Sequence, residues 1–128
     1  MSIILVADDN LRLRQEISGI LDQAGCDTVV VSDGQGAVEA VRRQAFDLIF
    51  LDVAMPGLNG LEALRMMRRI HPQVKVCMLT TLESYDLLVE ATRDAEVDFV
   101  SKPVQARDLL QMVQKWCATS SGPVPVFC

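Results

Sequence analysis

Residues 3–9 read Ile3-Ile4-Leu5-Val6-Ala7-Asp8-Asp9. Five apolar residues in succession leave neither alternating face polar, the pattern of a strand covered on both sides. Two acids then end it. The same form recurs three times. Leu48-Ile49-Phe50-Leu51 runs into Asp52, Val74-Lys75-Val76-Cys77-Met78-Leu79 into Thr80, and Asp98-Phe99-Val100-Ser101 into Lys102. In an open α/β sheet the carboxyl ends of the strands face one crevice, and ligands bind there. Charged and hydroxyl groups placed at those ends therefore build one site from scattered segments.

Working outward, strands are expected at about 3–7, 27–32, 47–51, 74–79 and 97–100, alternating with helical patterns. Leu13, Ile17, Ile20, Leu21 and Ala24 form one helical stripe, with Asp9 or Asn10 able to cap its start and Gly25 able to end it. A second helix covers about 35–43, with Ala37, Val38 and Val41 inward. A third starts near Gly60, turns Leu61, Leu64 and Met67 inward, and stops before His71-Pro72. A fourth covers about 83–94, and a fifth about 105–118, with Ala106, Leu109, Leu110, Val113, Trp116 and Cys117 on one face. Strand and helix alternating without hairpin signals predict right-handed crossovers and a doubly wound, five-stranded parallel sheet with helices on both faces. The second and fifth strands are shorter or more polar and suit the edges. That gives the flavodoxin-like order 2-1-3-4-5, which brings Asp8, Asp9 and Asp52 together at the switch point between the first and third strands.

The 128 residues fit one domain, and half of them are apolar with few aromatics, so the core is aliphatic. A net charge of -5 argues against direct nucleic-acid binding. Arg42-Arg43 and the Arg65, Arg68, Arg69 group read as solvated helix faces. The four cysteines show neither CxxC nor Cys/His spacing, so they suggest no zinc site and no disulfide framework. No signal peptide is legible, and no apolar run approaches the ~20 residues that span a bilayer. The expectation is a cytoplasmic chain without membrane contact, with 119–128 a tail or the start of a linker.

Three crowded carboxylates repel strongly; two unit charges ~4 Å apart cost about 4 kcal/mol at an effective dielectric near 20. A divalent cation relieves this, and an all-oxygen ligand set with room for water suits Mg²⁺. A carboxylate can also attack phosphorus to give an aspartyl phosphate, whose oxygens then need a cation and a hydroxyl donor. Lys102 and Thr80 are of the right types.

Asp8-Asp9-Asn10, Asp52 with Met55-Pro56-Gly57-Leu58-Asn59-Gly60, Thr80, Phe99 and Lys102-Pro103, in that order, resemble the receiver domain of response regulators in two-component signalling, over residues 1 to about 118. The resemblance implies that Asp52 is the phosphoacceptor. It also implies that Asp9 is a direct Mg²⁺ ligand, that Asp8 holds a metal-bound water, and that the Ala54 backbone carbonyl completes the protein ligands. Lys102 would pair with the phosphoryl group and Thr80 would hydrogen-bond to it. Phe99 would follow the shift of Thr80, and the Lys102–Pro103 peptide bond would be cis. The implied output face comprises the fourth predicted helix, the fifth strand and the fifth predicted helix. The implied partners are a histidine kinase or phosphotransfer protein and an output partner or fused effector domain; a homodimer is compatible with this class. Such a domain is a switch that catalyses only its own phosphorylation and dephosphorylation.

Two other readings share some of these features. A haloacid dehalogenase-type phosphatase also uses Asp, Mg²⁺, Thr or Ser, and Lys, but places Asp-x-Asp after its first strand, where this chain has Asp8-Asp9; Asp52-Val53-Ala54 lacks the second acid. A flavodoxin needs a phosphate loop after the first strand, and Asp8-Asp9-Asn10 would repel phosphate. Within the receiver pattern, Thr81, Ala95-Glu96, Ala54 and Leu82 depart from the usual residues. Ala54 and Leu82 lie two positions past Asp52 and Thr80, where side chains hold or block the hydrolytic water; neither offers a hydrogen bond. Intrinsic loss of phosphate from Asp52 should therefore be slow. Ala54→Asn with Leu82→Glu should speed it by roughly tenfold or more, about 1.4 kcal/mol of barrier. Phosphate-release time courses without any phosphatase test this, and equal rates in the two proteins would exclude side-chain control at these positions.

Overall fold

The computed structural model describes residues 2–55, 57–81, 83, 88, 89, 92 and 97–117. Five strands, β1 (Ile3–Ala7), β2 (Asp27–Val31), β3 (Leu48–Asp52), β4 (Val76–Thr80) and β5 (Asp98–Ser101), form one sheet in the order β2-β1-β3-β4-β5. Every neighbouring pair is parallel. The helices described in full are α1 (Leu11–Gln23), α2 (Gly34–Arg43), α3 (Gly60–Ile70) and α4 (Ala106–Cys117), the last being the fifth of the predicted set. Of the predicted helix over 83–94, Glu83, Leu88, Val89 and Thr92 are helical, and the other positions lie outside the described residues, as does the segment 118–128.

Alternation along the strands divides the core in two. Ile4, Val6, Phe50 and Leu79 point to one face, where Ile17 and Leu21 of α1 meet Leu109 and Val113 of α4. Leu5, Ala7, Ile49, Leu51 and Met78 point to the other, against Ala37, Val38 and Val41 of α2 and Leu64 and Met67 of α3. Each fully buried Leu or Ile contributes roughly 1.5–3 kcal/mol of burial free energy, so the central strands β1, β3 and β4 hold the fold. The predicted boundaries shift slightly. Asp52 and Thr80 are the last residues of their strands rather than the first beyond them. Val74 falls in the turn before β4, where its N–H donates to the His71 carbonyl. Leu61 and Ala106, placed inward by periodicity, are half-buried and exposed respectively.

Helix ends follow local chemistry. Asn10, not Asp9, caps α1, its side chain accepting from the Leu13 N–H. At the other end the Cys26 N–H reaches the Leu21 carbonyl and the Gly25 N–H the Asp22 carbonyl, with Gly25 at φ +88°, a left-handed cap that only glycine adopts cheaply. Asn59 and Glu62 form a reciprocal capping box at the start of α3. The next residue, Gly60, sits against the end of β3. Its N–H donates to the Val53 carbonyl at 3.0 Å, and a Cβ there would lie 2.4 Å from the Asp52 carbonyl oxygen.

Because that contact is to backbone, it cannot be relieved by turning a side chain. Gly60→Ala should destabilise the domain by about 1–3 kcal/mol, the range for forced overpacking, read as a lower urea midpoint at unchanged slope. An unchanged midpoint would show that α3 docks on β3 with slack.

Candidate functional site

The carboxyl ends of β1, β3, β4 and β5 lie side by side, so their terminal residues converge. Asp8 continues the line of β1, its N–H donating to the Val31 carbonyl of β2. It is fully buried. One carboxylate oxygen, Oδ1, accepts from the Asn10 N–H at 2.9 Å. The other, Oδ2, is buried and accepts no hydrogen bond; the Lys102 ammonium stands 3.5 Å away. Asp9 is exposed beside it, and Asp52, 2% exposed, comes from β3. Carboxylate oxygens of Asp8, Asp9 and Asp52 all lie within 4.8 Å of one another.

Lys102 is held in place by both its backbone and its charge. Its N–H donates to the Thr80 carbonyl at 2.7 Å, just past the end of the β4–β5 pairing, and the Lys102–Pro103 peptide bond is cis. Its ammonium donates to Asp52 Oδ1 at 3.0 Å. The same oxygen accepts from the Ala54 N–H at 3.3 Å. Thr80 is buried at the end of β4, with its hydroxyl donating to the Thr81 carbonyl at 3.0 Å. Phe99 is half-buried on β5, opposite Met78 of β4, and packs on the α2–α3 side of the core. Ala54 is exposed at the rim. Leu82 lies outside the described residues.

The electrostatics are unbalanced. Burial and, behind it, the Asp8 charge push Asp52 above the usual carboxylate range, against the opposing pull of Lys102. Burial works against the Lys102 ammonium, yet the hydrogen bond to Asp52 and the charges of Asp52 and Asp8 outweigh it, and its pKa lies above the ordinary value. One lysine cation faces three carboxylates, and a buried carboxylate oxygen without a donor is costly. The cluster has the donor set of a hard divalent cation, and Asp8 Oδ2, which accepts no hydrogen bond, has capacity left for such an ion or its bound water. A cavity of about 390 Å³ lined by Val41, Phe46, His71, Pro72 and Val74 lies at the opposite end of the sheet. A smaller one, about 240 Å³, lies beside the acids and is lined by Asn10, Arg12, Leu13, Lys102, Pro103 and Val104.

Sequence reasoning missed one group that touches this loop. Arg14, in the second turn of α1, donates from its guanidinium to the Asp8 backbone carbonyl at 2.8 Å. A hydrogen bond to a carbonyl leaves no mark in residue type or spacing.

A carboxyl whose pKa rises on folding stabilises the folded state below its unfolded pKa and loses that contribution as pH rises through the folded value. Raising the pH from below the unfolded carboxyl pKa toward 7 therefore weakens the metal-free fold through Asp52. In chelator, Asp52→Asn should unfold at a higher temperature than the wild type, the gap narrowing as pH falls toward about 4. A lower midpoint for the mutant at pH 7 would mean that the Lys102 pair outweighs the burial of Asp52.

Comparison with known proteins agrees with this geometry. A family model, the response regulator receiver domain, matches residues 4–114. The response regulator protein FleR of Pseudomonas aeruginosa is 34% identical over 112 residues, 88% of this chain and 24% of FleR. The chemotaxis protein CheY of Bacillus subtilis is 30% identical over 113 residues, 88% of this chain and 94% of CheY. The chain thus spans about a quarter of FleR and nearly all of CheY. The receiver domain of the sensor histidine kinase PA1611 of Pseudomonas aeruginosa, solved with a magnesium ion coordinated in its active site cleft, superimposes with a TM-score of 0.80 at 29% identity, over 90% of this chain and 96% of that one. With the sheet order, the acid cluster and these likenesses in agreement, the chain belongs to the response regulator receiver domain family.

Proposed function

We propose that the chain is a phosphorylatable switch that accepts a phosphoryl group on Asp52 from a histidine kinase or a phosphotransfer protein. The observation that carries this is the setting of Asp52, a nearly buried carboxylate clustered with Asp8 and Asp9 and bonded to the Lys102 ammonium at 3.0 Å. In the transfer a carboxylate oxygen of Asp52 bonds to phosphorus as the phosphorus–nitrogen bond of the donor imidazole breaks. The bonding pair stays on that nitrogen. Lys102 remains beside the new acyl phosphate and meets its added charge, and Thr80 turns its hydroxyl from the Thr81 carbonyl to a phosphoryl oxygen.

Asp9, Asp52 and the Ala54 backbone carbonyl would hold Mg²⁺ directly, and Asp8 through a water. The motive is the cluster itself, the Asp8 Oδ2 that accepts no hydrogen bond, and the magnesium coordinated in the PA1611 receiver domain. Bound there, the cation supplies positive charge that offsets the carboxylate repulsion and the phosphoryl oxygens. The Thr80 movement then opens space that Phe99 fills, which changes the surface made by the 83–94 segment, β5 and α4. That surface controls an output partner or a fused effector domain. Among the described residues no helix is long and apolar enough to cross a membrane.

Incubation with Mg²⁺ and a small phosphoramidate or acyl phosphate, followed by intact mass measurement, should give a single phosphoryl adduct. Asp52→Asn should abolish it. An equal adduct on the mutant would overturn the assignment. Turnover of a generic phosphomonoester, with phosphate released catalytically, would instead favour the phosphatase reading.

A further inference from the structure

Arg14 is the fourth residue of α1. A cation near a helix amino terminus works against the helix dipole, and α1 carries no acid in its first turn to compensate. Its partner lies elsewhere. Side chains on a helix lean toward its amino end, and from this position the guanidinium reaches back to donate to the Asp8 carbonyl at 2.8 Å. The Asp8 N–H is already used, donating to Val31 at 3.2 Å, and Asp8 Oδ1 accepts from the Asn10 N–H at 2.9 Å. Three bonds thus fix the Asp8 peptide and one carboxylate oxygen. The other oxygen, Oδ2, has no hydrogen-bond donor, with the Lys102 ammonium 3.5 Å away.

We propose that Arg14 is a positioning residue for a divalent cation, pinning the Asp8 carbonyl so that the Asp8 and Asp9 carboxylates are set at the site before the ion arrives. This rests on the reading of the site given above. Partners that orient metal ligands from behind typically change metal affinity 10–100-fold when removed. The role is separable from electrostatics by sign. The guanidinium is itself positive and repels Mg²⁺, so through charge alone its loss would tighten binding. Through positioning, its loss weakens binding.

The test is Mg²⁺ titration of the full chain without phosphodonor, followed by the rise in unfolding temperature, which any ligand of the folded state produces. Arg14→Met should bind Mg²⁺ about tenfold more weakly than wild type. Arg14→Lys, which keeps the charge but lacks the planar fork, should fall between them. Arg65→Met, which removes an exposed charge on α3, should match wild type. At saturating Mg²⁺ the phosphorylation rate of Arg14→Met should return to near wild type, as it would not if Arg14 touched the reacting group. Unchanged or tighter Mg²⁺ binding by Arg14→Met, with its metal-free melting still cooperative, overturns the positioning role alone. If Arg14→Met does not fold, Arg14→Lys decides by the same comparison. A wild type that gains no stability from Mg²⁺ overturns the cation site itself, and the positioning role with it.

Discussion

The bond between Lys102 and Asp52 is the constraint on which the site depends. It joins residues fifty positions apart in sequence and crosses the whole of β4, which lies between β3 and β5. Without it two buried acids, Asp8 and Asp52, would face each other with no cation among the described residues between them. Even against the pull of Lys102, burial and the Asp8 charge hold the Asp52 pKa above its ordinary value. The site is thus poised between two kinds of partner. Lys102 serves as an internal cation, yet it satisfies only part of the demand. Asp8 Oδ2 stays without a hydrogen bond.

The sheet makes this possible because parallel strands put all their carboxyl ends on one side. Its stability comes from the middle of the strands, where two aliphatic layers cover both faces, so the ends are free to carry unfavourable charge. Close backbone approaches then fix where those ends stop. Gly60 lets α3 begin directly on the Asp52 carbonyl, and Gly34 lets α2 begin against the Leu58 carbonyl, 2.2 Å from where a Cβ would stand. The loop that follows Asp52 is therefore clamped between two helix starts. The backbone of Asp52 is held by this packing, and its carboxylate by Lys102 and the Ala54 N–H.

Much of this was legible in the sequence, for a physical reason. A strand buried on both faces has to be apolar throughout, so β1, β3 and β4 announce themselves, and any charge at their ends stands out. Strand order followed from the weaker apolar character of β2 and β5. Asp8, Asp9 and Asp52 could be placed near one another from that order, whereas the part of Lys102 was implied by the resemblance to receiver domains. What was not legible rests on backbone atoms. Nothing in the residue pattern chooses Asn10 over Asp9 as the α1 cap, points Arg14 at a carbonyl, or turns the Thr80 hydroxyl toward Thr81. The ends of β3 and β4 moved by one residue for the same cause: ladder hydrogen bonds continue to Asp52 and Thr80 whatever their side chains carry. The spacing of the Asn59 and Glu62 capping box was in plain view, and its use was to start α3 where Gly60 meets β3.

β5 is held differently at its two ends. At the start, Asp98 accepts from Lys115 at 2.8 Å and from the Trp116 indole at 2.5 Å, both from the last turn of α4. Lys75 and Lys115 also stand 4.9 Å from the centre of the Trp116 ring, so two cations and one carboxylate enclose the indole and fasten strand to helix. At the other end, Lys102 is held by its backbone bond to Thr80 and by the charge of Asp52. Any change in charge at Asp52 therefore acts on one end of β5 while the other stays tied to α4. Phe99, one residue from the Asp98 anchor and three from Lys102, stands nearer the end tied to α4 than the end tied to Asp52. Across the ladder Phe99 faces Met78 and Ser101 faces Thr80, so the aromatic ring meets β4 two residues before the hydroxyl of the site.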